Sequence, residues 1–218
     1  MKYMDYILDT MKKLLAIPSP SGFTREAAEF VMAELTHMGY EPQMTLKRGV
    51  VCDLGGKKAD DGILLAAHID TLGAMVQEIK ADGRLKLINI GGLRAANVEC
   101  ENCTVHTHEG KKIGGVVHLI NASTHVNDKY NETERSFDTV GLLLDEYVDT
   151  KAEAEALGIM VGDYVSFDPR TIVTESGFIK SRFLDDKLSV GILLGFAKYL
   201  KDNGIVPARR VYAHMTVY

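Results

Sequence analysis

Two short clusters carry the residue types that could do chemistry. His68-Ile69-Asp70 follows directly on the apolar run Ile63 to Ala67. Residues two apart on an extended chain point the same way, so His68 could offer a neutral imidazole to a metal ion while Asp70 orients a neighbouring group. The plainer reading of the same tripeptide is a His-Asp pair that stabilises a loop. Asp185-Asp186 is the second cluster, placed after Phe178 to Leu184, read as a strand, and at the start of a helical pattern. Adjacent carboxylates are costly to desolvate unless a cation or a helix N-terminus compensates them. They read either as a cap with an acidic first turn or as a carboxylate bridging two metal ions that activate a water. His68 and Asp185 are both expected at strand ends of one sheet.

A third group, Cys100, Cys103, His106 and His108, has the ligand types of a small zinc site but the wrong spacing. A finger needs its histidines three to five residues apart and well removed from the cysteines, whereas this group is compressed onto a predicted hairpin. Cys-x-x-Cys also lacks the βαβ setting of a thioredoxin-like redox pair. Buried thiols and surface histidines are the expectation. Gly91-Gly92 and Gly114-Gly115 read as turn or bulge glycines, because neither pair opens a helix that could hold a phosphate.

The elements that must position these residues follow from periodicity. Met4, Ile7, Leu8, Met11, Leu14 and Leu15 recur at three- and four-residue spacing, a helix that stops before the stiff loop Pro18-Ser19-Pro20-Ser21-Gly22. A second helix starts near Thr24, with Ala27, Phe30, Val31 and Leu35 on one face and Gly39 ending it. Val50 to Leu54 and the continuous apolar run Gly62 to Ala67 read as strands, the latter buried on both faces at the centre of an α/β sheet. An open sheet of that kind places its chemistry at the carboxyl ends of its strands. Beyond Gly73 the texture changes to hairpins around Asp82-Gly83 and Glu109-Gly110, so residues 73–167 are expected to form a small antiparallel β-unit. Within it His125 to Phe137 reads as a polar, mobile loop, and Thr150 with Glu153 as the capping box of a short helix ending near Gly158. A long helix through Leu188, Ile192, Leu193, Phe196 and Leu200 then closes at Gly204, and Arg209 to Tyr218 alternates as a strand.

Composition excludes several function classes. The 218 residues carry 25 Lys+Arg and 30 Asp+Glu, a net charge of −5, with 46% apolar residues, so no basic stripe argues for nucleic acid. No run approaches the roughly 18 apolar residues of a membrane span, and Met1 to Thr10 has no signal-peptide core. With an odd count of 3 Cys, the reading is a cytoplasmic, reduced protein, in which Asn121-Ala122-Ser123 and Asn131-Glu132-Thr133 are not glycosylation sites.

Taken together, Pro18-Ser19-Pro20-Ser21-Gly22, Ala66-Ala67-His68-Ile69-Asp70-Thr71-Leu72-Gly73 and Arg182-Phe183-Leu184-Asp185-Asp186-Lys187 resemble the cytosolic metallo-aminopeptidases, family forty-two of the metallopeptidases. That family includes glutamyl and deblocking aminopeptidases, proteins labelled cellulase M, and the tetrahedral TET peptidases. The similarity spans the whole chain. The strand-His-x-Asp and Asp-Asp motifs are shared with co-catalytic zinc exopeptidases at large; the Pro-Ser-Pro-Ser-Gly loop and the β insertion narrow the likeness to the family. The resemblance implies an α/β fold, a co-catalytic zinc exopeptidase-like sheet with helices on both faces, interrupted by a small inserted β-barrel-like domain. Residues 1–72 and 168–218 would form the catalytic domain, incomplete at its C-terminus, and 73–167 an insertion for dimerisation and assembly. His68 would ligate one metal, Asp185 would bridge two divalent ions, zinc or cobalt, and Asp70 would orient the site beside the catalytic base. The Asp185-Asp186 peptide would be cis. The implied reaction releases N-terminal residues from short peptides by a metal-bound hydroxide, with a glutamate as general base, in homo-oligomers ranging from dimers to hollow dodecamers.

In the family a Glu-Glu pair follows the strand matching Val211 to Tyr218, and an Asp and a His ligand come later; none of these is in the 218 residues. The expectation is therefore an incomplete, inactive fragment with uncovered apolar sheet surface. The alternative is a non-catalytic assembly or binding module of the same lineage. Glycoside hydrolysis is a weaker reading, because it needs two carboxylates about 5 to 10 Å apart across a sugar, and neighbours in sequence such as Asp185 and Asp186 usually diverge.

Overall fold

The computed structural model describes residues 2–218; Met1, the first residue of the Met1 to Thr10 segment, lies outside the described residues. In chain order the elements begin with α1 (Lys2–Ala16), α2 (Arg25–His37), β1 (Gln43–Met44), β2 (Val50–Gly55) and β3 (Lys58–His68). Next come β4 (Gly73–Ile79), β5 (Leu85–Ile90), β6 (Asn102–His106), β7 (Lys112–Leu119), β8 (Val140–Leu144), α3 (Lys151–Ala156) and β9 (Tyr164–Phe167). The chain closes with β10 (Ile172–Val173), β11 (Ile179–Lys180), α4 (Leu184–Asp202) and β12 (Arg209–Thr216). Two compact units result, one made of the residues up to Thr71 with Pro169–Tyr218, the other of Leu72–Asp168. The class is α/β with an inserted barrel.

In the first unit the sheet order is β1-β2-β12-β3, with β12 antiparallel to β2 and parallel to β3. Period-two alternation puts Val50, Cys52 and Leu54 of β2 and Val211, Ala213 and Met215 of β12 on one buried face. Helical spacing does the same for Ala27, Val31 and Leu35 of α2 and for Val190, Leu194 and Ala197 of α4, and the two sets pack together. Each fully buried Val or Leu contributes about 1.5–3 kcal/mol of apolar transfer. α1 joins this core through Leu14 and lies close against α4, where a Cβ added at Gly195 would meet Ile7 Cγ1 at 2.3 Å.

Two expectations need correction. β3 is at the edge of the four-stranded sheet, not its centre, and it alternates: Ala67 is buried while Leu64 is 60% exposed. The reason is that among the described residues α1, α2 and α4 all belong to the core on a single face, so helices do not cover both. The opposite face, carrying Leu64, Tyr212 and His214, is open or half-buried. A continuous apolar run does not by itself say how many faces are covered.

The second unit is a six-stranded closed barrel of order β4-β5-β8-β7-β6-β9. Its interior is supplied by alternate residues such as Leu85, Leu87, Val105, Val117, Leu142 and Val165. The Asp82-Gly83 turn joins β4 to β5, with Gly83 in the left-handed region at φ +77°. Thr150 and Glu153 form the reciprocal capping box of α3. The segment around His125 to Phe137 has neither helix nor strand, and Arg135 ties it down by donating to Glu99 at 3.0 Å and to the carbonyls of Tyr130 and Thr133 at 2.9 and 2.7 Å.

Candidate active site

β3 delivers His68 at its last position, and the chain stays extended beyond the sheet because Ile69 N donates to the Thr216 carbonyl at 3.0 Å. The Pro18 to Gly22 loop then grips this extension. Ser19 Oγ donates to the Ile69 carbonyl at 2.8 Å, Thr71 N donates to the Ser19 carbonyl at 2.8 Å, and Ser21 Oγ donates to Asp70 Oδ2. Asp70 is buried and held from the loop side. His68 Nδ1 donates to the Asp70 backbone carbonyl at 2.9 Å and lies 3.3 Å from Asp70 Oδ1.

Asp185 arrives by a different route from the one expected. The run Phe178 to Leu184 is not a strand of the main sheet; only Ile179–Lys180 is extended, paired with Ile172–Val173 in a separate hairpin. The turn before it, with Gly177 at φ +90°, folds the chain back before a longer strand can form, and Phe178 is exposed. Phe183 then adopts a left-handed backbone at φ 64°, Asp185 and Asp186 are non-helical, and their peptide bond is cis. The turn leaves the Asp185 carboxylate in solvent, 95% exposed, with Oδ1 at 3.1 Å from His68 Nε2. Sites 117 residues apart in the chain are thereby brought together.

The next residue but one, Lys187, is fully buried on the stripe that continues through Val190 and Leu194. Its ammonium donates to the carbonyls of Leu14 at 2.9 Å and Ile17 at 2.7 Å, at the negative end of α1. Burial pushes its pKa down to about 7.

A carbonyl can only accept, so the Nδ1 bond assigns the proton of a neutral His68 to Nδ1 and leaves the lone pair on Nε2. That lone pair faces a carboxylate oxygen at 3.1 Å. Two acceptors at this separation repel unless a proton or a cation lies between them. Two ligands held about 2.0–2.2 Å from one tetrahedral ion sit roughly 3.4 Å apart, so His68 Nε2 and Asp185 suit a shared divalent cation. They are two donors, and among the described residues no group of three or more His, Cys, Asp or Glu side chains converges.

The cysteine-histidine group does not converge either. Cys100 is exposed; Cys103 is buried, donates to the Gly115 carbonyl at 3.3 Å, and has its thiol pushed well up by burial. His106 Nε2 meets Ser166 Oγ at 2.8 Å and His108 Nδ1 meets Asp163 Oδ1 at 2.7 Å. His106 is buried, not on the surface as expected: it lies on the face of β6 opposite Cys103 and Val105, where it pairs with Tyr164 of β9 and meets Ser166.

Sequence reasoning passed over Ser19, Ser21 and Lys187. Lys187 did leave a signal, a charge on the apolar stripe of α4 where a core residue belongs. The Pro18 to Gly22 motif marks the serines but not their partners, which are about fifty residues away.

Residues 49–218 match the family described as M42 glutamyl aminopeptidase. The Bacillus subtilis protein YhfE, which carries an aminopeptidase name, is 44% identical over 187 residues, 86% of this chain and 54% of that protein. The glutamyl aminopeptidase of Lactococcus lactis is 32% identical over 108 residues, 49% of this chain and 30% of that protein. Among solved structures, aminopeptidase APDkam598 from the archaeon Desulfurococcus kamchatkensis superposes with a TM-score of 0.85 at 27% identity, covering 100% of this chain and 57% of that one. The Pyrococcus horikoshii TET1 peptidase, described as assembling into a tetrahedron or a large octahedral shell, shares the fold with a TM-score of 0.81 at 23% identity, covering 97% of this chain and 61% of that one. The chain spans about half the length of YhfE.

Proposed function

The chain belongs to the M42 glutamyl aminopeptidase family, and from that premise we propose that His68 and Asp185 are metal donors of an aminopeptidase that releases N-terminal residues from short peptides. The observation that carries this is His68 Nε2 held 3.1 Å from an exposed carboxylate oxygen while Nδ1 is engaged by the Asp70 carbonyl, a separation that suits two donors to one cation. Divalent ions, zinc or cobalt, supply Lewis-acid polarisation of a peptide carbonyl and acidification of a water when bound. The side chains do the rest. Asp70, fixed by Ser21, offers its carbonyl to His68 Nδ1, so the ring is locked in one tautomer and one orientation. Asp185 keeps its oxygens in solvent, open to ions and substrate.

Two donors are too few for a two-metal centre, so the reading assigns turnover to a chain in which further donors join these, and predicts that residues 1–218 alone are inactive. The barrel unit is read as the assembly module of a homo-oligomer, a role supported by exposed Ile88, Ile120, Leu143 and Val161. A cytoplasmic setting is read from three unpaired cysteines.

The test uses protein isolated from its native cells: intact mass, metal content, and release of nitroaniline from aminoacyl p-nitroanilides with and without chelator. The expected result is about two metals per chain and activity abolished by chelation. Hydrolysis that persists after complete metal removal would overturn the reading, and turnover by the 218 residues alone would overturn the statement that their donor set is insufficient.

A further inference from the structure

Resting on that reading, we propose that Lys187 is a positioning residue which, with Ser19 and Ser21, makes the Ile17 to Ser21 turn one clamp on both metal donors. The two donors come from unrelated elements, the end of β3 and the start of α4. Lys187 follows Asp185 by two residues, and its buried ammonium is bonded to the carbonyls of Leu14 and Ile17. From the same turn, Ser19 holds the Ile69 carbonyl and Ser21 holds the Asp70 carboxylate, which together flank His68. Each of these hydrogen bonds goes to the Ile17 to Ser21 turn or, through Leu14, to the helix end that leads into it, so the His68 to Asp185 separation is set by this segment as well as by sheet and helix packing.

Core packing does not account for Lys187. Its neighbours on the stripe, Val190 and Leu194, are apolar and fully buried, and an apolar side chain of similar length would fill the same space without the cost of desolvating an ammonium. What only the ammonium provides is a pair of donors at the end of α1, where carbonyls lack helical partners. A metal site tolerates little displacement of its ligands, and loss of a group that orients them typically lowers metal affinity 10- to 100-fold.

The experiment titrates zinc chloride into the 218-residue chain labelled with nitrogen-15, follows the His68 imidazole resonances, and records the melting temperature of each variant. Lys187→Met is expected to melt within a few degrees of the parent, while the zinc dissociation constant at His68 rises at least 10-fold. Ser21→Ala, which trims one hydroxyl from a half-buried loop, is expected to weaken zinc binding in the same direction with little effect on melting. A folded Lys187→Met with unchanged zinc affinity overturns the clamp. Should that variant fail to fold, unchanged affinity in Ser21→Ala overturns it instead. Parent protein whose His68 resonances ignore zinc overturns the metal reading itself and the clamp with it; His68 that responds to zinc equally in parent and variants overturns the clamp alone.

Discussion

Replacing Gly195 by alanine should destabilise the protein even though alanine is the better helix former. In an open helix interior the exchange gains about 1 kcal/mol. Here the new Cβ would lie 2.3 Å from Ile7 Cγ1 and 2.6 Å from Ile7 Cδ1, more than 1 Å inside an ordinary carbon contact of about 3.5–4.0 Å. Isoleucine in a helix has one strongly preferred χ1, so relief requires an off-rotamer side chain or movement of α1, at about 1–3 kcal/mol. An overlap this deep falls in the upper part of that range, about 2–3 kcal/mol, so it outweighs the helix gain of about 1 kcal/mol and leaves a net loss of about 1–2 kcal/mol. Gly191 is the internal control. Its added Cβ would meet Met11 Cβ at 3.3 Å, a few tenths of an ångström too close, so the helix gain and the crowding nearly cancel. The assay is urea unfolding followed by helical circular dichroism, with Ile7→Ala completing a double-mutant cycle in which it relieves Gly195→Ala by about 1 kcal/mol or more. Gly195→Ala as stable as the parent, or less stable only to the extent that Gly191→Ala is, would refute the reasoning. The prediction also touches the site, because α1 carries the Leu14 carbonyl that receives Lys187 and leads directly into Ile17, which supplies the other.

Stability should rise and then fall with pH. Lys187, depressed by burial to about 7 from 10.5, leaves the unfolded chain holding the extra proton between those values, so its contribution grows as pH rises through that window. Tyr40 and Cys52 behave oppositely: burial raises the phenol to about 12 and the thiol to about 11, so their contributions, on the order of 2 kcal/mol each, are complete below about pH 9 and vanish as pH climbs through 11 to 12. Urea midpoints at pH 7, 9 and 11 should show the rise flattened in Lys187→Met and the fall reduced in Cys52→Ala; parent midpoints that decline steadily from pH 7 would contradict the assignment. Thr150→Ala should remove the α3 cap, since Thr150 Oγ1 accepts from Glu153 N at 3.3 Å and Glu153 reaches back to Thr150 N at 3.0 Å. The cost is about 1 kcal/mol, read as faster amide exchange in α3, and unchanged exchange there would remove the cap from the account.

Much of the framework was legible because periodicity reports directly on a buried stripe. The helices at Met4 to Leu15 and Leu188 to Leu200, the hairpins around Asp82-Gly83 and Glu109-Gly110, and the Thr150-Glu153 cap all follow from local spacing. What local spacing cannot convey is which neighbour a face meets. The Gly62 to Ala67 run is as apolar as a central strand, yet half of it looks away from the helices. Phe178 to Leu184 has strand-like residues, but Gly177 turns it into a short hairpin. Types and positions marked His68, Asp70 and Asp185 as candidates, and the structure places them together; the bonds that Ser21 and Lys187 make to a carboxylate and to carbonyls far away in the chain are not readable from local spacing. His106 shows the same limit in the barrel, a polar residue on the outer face of its strand that is nevertheless buried against β9.

The most direct measurement of the central claim is the imidazole nitrogen-15 spectrum of the seven histidines during addition of zinc chloride. The account predicts that His68 Nε2 shifts while its Nδ1 stays protonated, that the other histidines move less, and that Asp185→Ala suppresses the response. A spectrum in which another histidine takes the zinc first, or in which Asp185→Ala leaves the His68 response intact, would contradict the assignment of these two residues as partners on one ion.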